Sequence, residues 1–173
     1  MNIVILGAAQ AAASMAARLR ALGHDGGLTL IGEEAAATYQ RPPLSKAYLL
    51  GEMSEDRLTL RAPEWWAENR IELRLGECAL AIDPVRKTVT TDKGEVAYDA
   101  LVLTLGATPR RLPKAMGGHL PGVNVVRNIA DIQAAKPQLA AGRRLVVIGG
   151  GYTGREAAAV ARKLGLEVNL VDA

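Results

Sequence analysis

Ile3-Val4-Ile5-Leu6 is an unbroken apolar run closed by Gly7, the pattern of a short strand covered on both faces. From Gln10 to Leu22 the chain turns mostly to alanine, with Met15, Leu19 and Leu22 at helical spacing, and Gly23 supplies the stop. Leu28-Thr29-Leu30-Ile31 returns to a strand pattern and runs into Gly32-Glu33-Glu34. Strand, glycine turn, helix, strand and acid in that order predict one βαβ unit.

The stretch from Tyr39 to Lys46 reads as a loop, because Pro42 and Pro43 are incompatible with a helix or sheet interior. A short helix is expected after Pro63, carrying Trp65 and Trp66, and the pattern is strand-like from Ile71 onward. Thr88-Val89-Thr90 and Val96-Ala97-Tyr98 flank Asp92-Lys93-Gly94 as a hairpin, and Leu101-Val102-Leu103 reads as another buried strand. Residues 107–122 are rich in proline and glycine, as in a crossing between domains. Beyond it a strand is expected at Asn124-Val125-Val126, and a helix over 131–141 interrupted by Pro137.

Leu145-Val146-Val147-Ile148 then repeats the opening theme: a glycine turn, a helix from about Tyr152 to Leu164, Gly165, and a strand from Glu167 to Val171 ending at Asp172. Gly7 and Gly149 thus open two copies of one supersecondary unit. The expected fold class is α/β: a Rossmann-like unit with a β-meander, then the start of a second Rossmann-like unit. The expected boundaries are 1–108 for the first, 109–141 for the crossing and linker, and 142–173 for the second.

Composition narrows the classes. At 173 residues, 49% hydrophobic and 23% charged, the chain is globular rather than disordered. Its net charge of +3 is spread along the sequence, and the pairs Arg110-Arg111 and Arg143-Arg144 read as solvated charge rather than a nucleic-acid surface. Cys78 is the sole cysteine, which excludes an intrachain disulfide or redox dithiol. No apolar run approaches the length of a membrane span, and the N-terminus lacks the basic region and cleavage site of a secretory signal, so the expected compartment is cytoplasmic. No metal site is assigned.

The glycine turns carry the chemistry. In a dinucleotide-binding turn the first glycine permits the tight bend, the second admits the pyrophosphate to the backbone, and the third lets helix and strand pack closely. The phosphates sit on the exposed amides at the positive end of the helix, and the acid ending the second strand accepts from the ribose hydroxyls. Gly149, Gly151, Gly154 and Asp172 satisfy the whole pattern. Because a carboxylate repels a 2′-phosphate, Asp172 favours NADH over NADPH. The first copy, Gly7-Ala8-Ala9-Gln10-Ala11-Ala12, departs from it. Ala12 at the third position is a mild change, whereas the Ala9 methyl lies where the pyrophosphate approaches. Glu33 stands at the ribose position.

The run Gln40-Arg41-Pro42-Pro43-Leu44-Ser45-Lys46-Ala47-Tyr48-Leu49 resembles the flavin-contacting loop of the oxygenase-coupled ferredoxin reductases, the family of putidaredoxin and rubredoxin reductases. The resemblance continues through Leu60-Arg61-Ala62-Pro63-Glu64, Ile71-Glu72-Leu73 and Tyr98-Asp99-Ala100-Leu101-Val102-Leu103. It resumes at Arg127 and at Val147-Ile148-Gly149-Gly150-Gly151-Tyr152, and so covers essentially the whole chain. It implies that main chain near Ala11, with Glu33, holds the adenosine half of FAD, and that Arg41 and Lys46 approach the pyrophosphate and flavin. It also implies that Ala79 meets the adenine through its backbone, that Arg127 contacts the flavin, and that Glu156 is the acid beside the nicotinamide. On this footing Lys46 and Glu156 are the expected catalytic residues, on facing walls of the flavin–nicotinamide site despite being 110 positions apart. A cation near the flavin stabilises the negative charge that reduction brings. Hydride is expected to pass from NADH to FAD, and electrons onward to a ferredoxin- or rubredoxin-like protein.

Three departures set the alternatives. The family usually carries Ala-Thr-Gly where this chain has Thr104-Leu105-Gly106, so an apolar Leu105 replaces a hydroxyl near the FAD. Thr153 and Arg155 stand where apolar residues are usual. Family members are more than twice as long, so the second unit is expected to be partial, with an apolar strand edge exposed. The alternatives are a non-enzymatic dinucleotide-binding remnant with weak flavin affinity, and a structural or partner-binding fragment.

Overall fold

The structure, a computed structural model, describes residues 1–172. The chain divides into two compact units: Met1–Gln40 with Thr59–Ala107, and Arg41–Leu58 with the chain from Thr108 to the end of the described residues.

In the first unit, β1 (Ile3–Leu6), β2 (Leu28–Gly32), β3 (Glu72–Leu75) and β7 (Ala100–Leu103) form a parallel sheet in the order β3-β2-β1-β7. Leu6 lies in register with Ile31 on one side and Leu103 on the other. The order reverses direction at β1, and the strand ends there form the crevice where ligands sit in open α/β sheets. β1 is apolar throughout because both faces are covered. Ile3 and Ile5, with Leu28 and Leu30, pack on helix α1 (Gln10–Ala21) and on Trp66 of helix α3 (Pro63–Glu68). Val4, Leu6 and Ile31 pack on Val89 of an antiparallel meander, β4 (Ala79–Asp83), β5 (Thr88–Thr91) and β6 (Gly94–Ala97).

Three details differ from the sequence pattern. The buried face of α1 is Ala12, Ala13 and Ala16, while Met15 is 38% and Leu22 66% exposed; methyl-sized side chains let the helix lie close on the sheet. β7 is an edge strand with Leu103 exposed rather than a fully buried one. Asn124-Val125-Val126 forms no strand, and among the described residues nothing pairs with it.

Arg20, near the end of α1, staples this unit at the far edge of the sheet. Its guanidinium donates to the carbonyls of Asn69 (2.8 Å), His24 (2.6 Å), Gly26 (2.9 Å) and Arg70 (2.7 Å). The helix end, the entry to β2 and the entry to β3 thereby share one planar donor. Lysine has neither the fork nor the number of donors. Arg20→Lys should therefore destabilise the first unit by roughly 1.5–3 kcal/mol, read as a lower urea midpoint at unchanged slope; an unchanged midpoint would show that the carbonyls are as well served by water.

The second unit holds the proline loop, which is helical rather than irregular. Pro42–Ser45 form a 3-10 turn, followed by helix α2 (Ala47–Leu50) and a second 3-10 turn at Asp56–Leu58. Proline at the start of a helical turn lacks only an amide that would have no partner there. Helix α4 (Ile129–Ala135) is closed by a complete capping box between Asn128 and Asp131, and gives way at Pro137 to a 3-10 turn. Gln133 of α4 and Tyr48 of α2 both donate to Glu55 Oε2, at 3.0 and 3.3 Å, and the Lys136 ammonium lies 5.5 Å from the Tyr48 ring centre. Burial and then the Glu55 charge raise the Tyr48 phenol above its ordinary value. β8 (Arg144–Ile148), helix α5 (Tyr152–Lys163) and β9 (Glu167–Val171) make the repeated βαβ unit, with β8 and β9 parallel. One face of that two-stranded sheet packs under α5; Val146, Ile148 and Val171 on the other are exposed. Among the described residues no helix is long and apolar enough to cross a membrane.

Candidate dinucleotide sites

The two glycine turns have the same local geometry. Gly7 has φ +100° and Gly149 φ +108°, a region open to glycine. Each donates its amide at 2.8 Å to a carbonyl at the end of the neighbouring strand, Gly7 to Ile31, one residue before the last of β2, and Gly149 to Val171, the last of β9. Neither following helix is closed by its own side chains. Ala9 before α1 and Gly151 before α5 cap nothing through a side chain, and neither first turn contains an acid. The orphan amides of both helices are therefore available to an anion, in contrast to α4 with its capping box.

The second turn fits a dinucleotide at each glycine. A methyl on Gly151 would meet nothing within 4 Å, so the backbone is open to an approaching group. A methyl on Gly154 would lie 1.9 Å from the Gly149 carbonyl, so the third glycine is the helix-to-turn contact. Asp172 Oδ1 accepts the Gly150 amide at 2.9 Å, which brings the carboxylate to the turn. The first turn fits with one qualification. Ala12 is fully buried, so a methyl is accommodated at the third position, whereas Ala9 carries a half-buried methyl at the second. Glu33 is exposed just beyond β2, while Glu34 accepts a hydrogen bond from the Tyr39 hydroxyl. Ala79 opens β4, and its approach is set by two backbone bonds, Gly76 N–H to Glu34 O and Glu77 N–H to Gly32 O. Gly106 follows the end of β7, where Thr104 Oγ lies 3.0 Å from the carbonyls of both Leu6 and Gly7. Leu105 is 66% exposed.

In the second unit the proline loop and α5 meet at Lys46 and Glu156. Lys46 Nζ lies 2.8 Å from Glu156 Oε1 and donates to the Pro42 carbonyl at 3.2 Å. The hydrogen bond from Lys46, and then that from Ser45, hold the Glu156 carboxyl below the usual carboxylate range. The stability that this adds is present above the ordinary carboxylate pKa and is lost as pH falls through the lowered folded value. Arg41 Nη1 donates to the Arg127 carbonyl at 2.7 Å, and the Arg127 amide donates to Asp131 Oδ2 at 3.0 Å. Arg41, Arg127 and α4 are thus tied together, as are Lys46 and Glu156. Ser45, Arg74 and Glu77 are not legible in the sequence as site or support residues; Ser45 lies within the proline loop, but no spacing rule pairs it with α5.

The chain is similar to the rhodocoxin reductase of Rhodococcus erythropolis, 41% identical over 174 residues, covering 100% of this chain and 40% of that one. It is similar also to the rubredoxin-NAD(+) reductase of Pseudomonas putida, 38% identical over 174 residues, 100% of this chain and 45% of that protein. Among solved structures it superposes on the covalent putidaredoxin reductase–putidaredoxin complex with a TM-score of 0.91 and 40% identity, over 98% of this chain and 41% of that one. The chain therefore spans less than half the length of these relatives. With both turns, the proline loop and the meander accounted for, and with the match to that family's pattern running over residues 1–173, the chain belongs to the pyridine nucleotide-disulphide oxidoreductase family.

Proposed function

We propose that this chain is part of an NADH-dependent flavoprotein reductase of the ferredoxin and rubredoxin reductase type, acting in the cytoplasm on an iron–sulfur or rubredoxin-like electron-transfer protein. The observation that carries this reading is the 2.8 Å pairing of Lys46, from the proline loop, with Glu156, on the helix after the second glycine turn. It joins the residue expected at the flavin to the one expected at the nicotinamide. Within the first unit, Gly7, Ala9, Ala11, Ala12, Glu33, Ala79 and Gly106 are the residues assigned to FAD; within the second, Arg41, Lys46 and Arg127 are assigned to the flavin cofactor. Gly149, Gly151, Gly154 and Asp172 are those for NADH.

When bound, FAD would supply the redox chemistry, hydride acceptance from NADH and electron release toward a protein acceptor. The chain's own part is placement and charge. The amides opening α1 and α5 receive phosphate. Lys46 offers a cation to charge developing on reduction, and Glu156 stays an anion under its two donors. Cys78 is the sole cysteine, and in the first unit it donates its amide to Asp92; no cysteine pair intervenes between flavin and acceptor within these residues.

A second reading, a non-enzymatic dinucleotide-binding remnant with weak flavin affinity, is favoured by the Ala9 methyl and by Leu105. Absorbance titration with FAD separates the two. Flavin bands that stay with the purified chain support the first; a chain that retains none supports the second. Ala9→Gly should tighten FAD binding roughly tenfold to a hundredfold, as relief of an overpacked methyl by about 1–3 kcal/mol implies. Equal affinity of the two proteins would mean that the turn already yields, or that FAD lies elsewhere.

A further inference from the structure

Glu156 is held by two donors from consecutive residues of one turn. Lys46 Nζ is 2.8 Å from Oε1, and Ser45 Oγ donates to Oε2 at 2.6 Å. The two donors differ in kind. The Lys46 side chain is 49% exposed, on a flexible stem that follows the carboxylate wherever it turns. Ser45 is 5% exposed and has a short side chain. Its turn is fixed by the Leu44 amide on Arg41 O and the Lys46 amide on Pro43 O, both at 3.0 Å. The last torsion of a glutamate is broad and roughly two-fold, so a single ion pair leaves the carboxylate plane undefined. A second donor on the other oxygen, carried by a buried side chain, defines it at little entropic cost.

We propose that Ser45 is a positioning residue for Glu156. It fixes the plane of the carboxylate that the proposed function places beside the nicotinamide, while Lys46 supplies the charge. The proposal rests on that reading for its consequence but not for its geometry. Lys46 is the charged group that acts on Glu156, so the contributions of the two donors are separable by substitution. Loss of the hydroxyl should leave the ion pair and free the plane.

The test uses the full chain with carbon-13-labelled glutamate, comparing wild type, Ser45→Ala and Lys46→Gln. Without any cofactor, the Glu156 titration midpoint should rise in Ser45→Ala, because a hydrogen bond donated to the charged carboxylate favours that form and its loss favours the neutral one. In wild type, deuteration of the Ser45 hydroxyl should shift the Glu156 carboxyl carbon, a reading that needs no variant to fold. With FAD bound, Ser45→Ala should slow the limiting rate of flavin reduction about tenfold through misplacement at an unchanged NADH dissociation constant. An unmoved midpoint together with no isotope shift overturns the hold on Glu156. A moved midpoint with an unchanged limiting rate overturns its positioning role. If wild type retains no FAD, the proposed function fails, and the titration still decides whether Ser45 holds the acid.

Discussion

Glu77→Ala should destabilise the first unit by about 3–5 kcal/mol, the range for breaking one side of a buried ion pair. The Glu77 side chain is 3% exposed and meets Arg74 through two contacts, Nε to Oε2 and Nη2 to Oε1, each 2.8 Å. Thr91 Oγ1 of β5 donates to Oε1 at 2.5 Å. One carboxylate thus joins the end of β3 to the meander, beside the backbone bonds that set Gly76 and Glu77 against the end of β2. Alanine removes the anion and leaves the partly buried Arg74 cation unserved, which costs more than the pair contributes, while the Thr91 hydroxyl keeps the Gly94 carbonyl at 2.9 Å. The control follows from the same physics. Arg74→Met with Glu77→Leu should lose much less than Glu77→Ala, because no charge is then left behind. Urea unfolding of the two proteins decides it; a loss under about 1 kcal/mol in Glu77→Ala, the level of an exposed pair, would show that water reaches Arg74.

The parts of this fold written in local pattern were legible, and those that depend on partners were not. β1, β2 and β8 could be placed because strands under two layers, or opening a βαβ unit, read as apolar runs between glycines. The hairpin Thr88–Ala97 followed from Asp92-Lys93-Gly94. Helix α1 was placed from its spacing, but its buried side was not: the larger side chains Met15 and Leu22 suggested a face that the sheet does not use, since close approach selects alanine. Asn124-Val125-Val126 has strand composition and no ladder partner among the described residues, and composition cannot supply one. At the site, the glycines, Lys46 and Glu156 stood in recognisable turns or in the family's pattern. Ser45 and Glu77 act across long separations or from within a turn, where a serine or glutamate is ordinarily solvated, so only the folded chain reveals their partners.

The two glycine turns make an internal control, and Gly7→Ala should cost about 2 kcal/mol more than Gly149→Ala, the increment expected for overpacking. Both positions have φ near +100°, at +100° and +108°, so both alanines bear a backbone penalty of about 1–3 kcal/mol. They differ in what surrounds the added methyl. At Gly149 nothing lies within 4 Å, whereas at Gly7 it would fall 2.2 Å from the Thr104 carbonyl oxygen. That oxygen cannot withdraw easily: the Thr104 amide donates to Leu6 O at 2.8 Å, and its hydroxyl lies 3.0 Å from the carbonyls of Leu6 and Gly7. Gly7 is thus required by the end of β7 as well as by the turn, independently of any ligand, while Gly149 is required by the turn alone. Hydrogen exchange reads each unit separately, at Ile5 and Val102 for the first and at Val147 and Leu170 for the second. Gly7→Ala should accelerate exchange in the first unit well beyond what Gly149→Ala does in the second. Equal losses would mean that β7 moves aside and that backbone conformation is the whole cost at both turns.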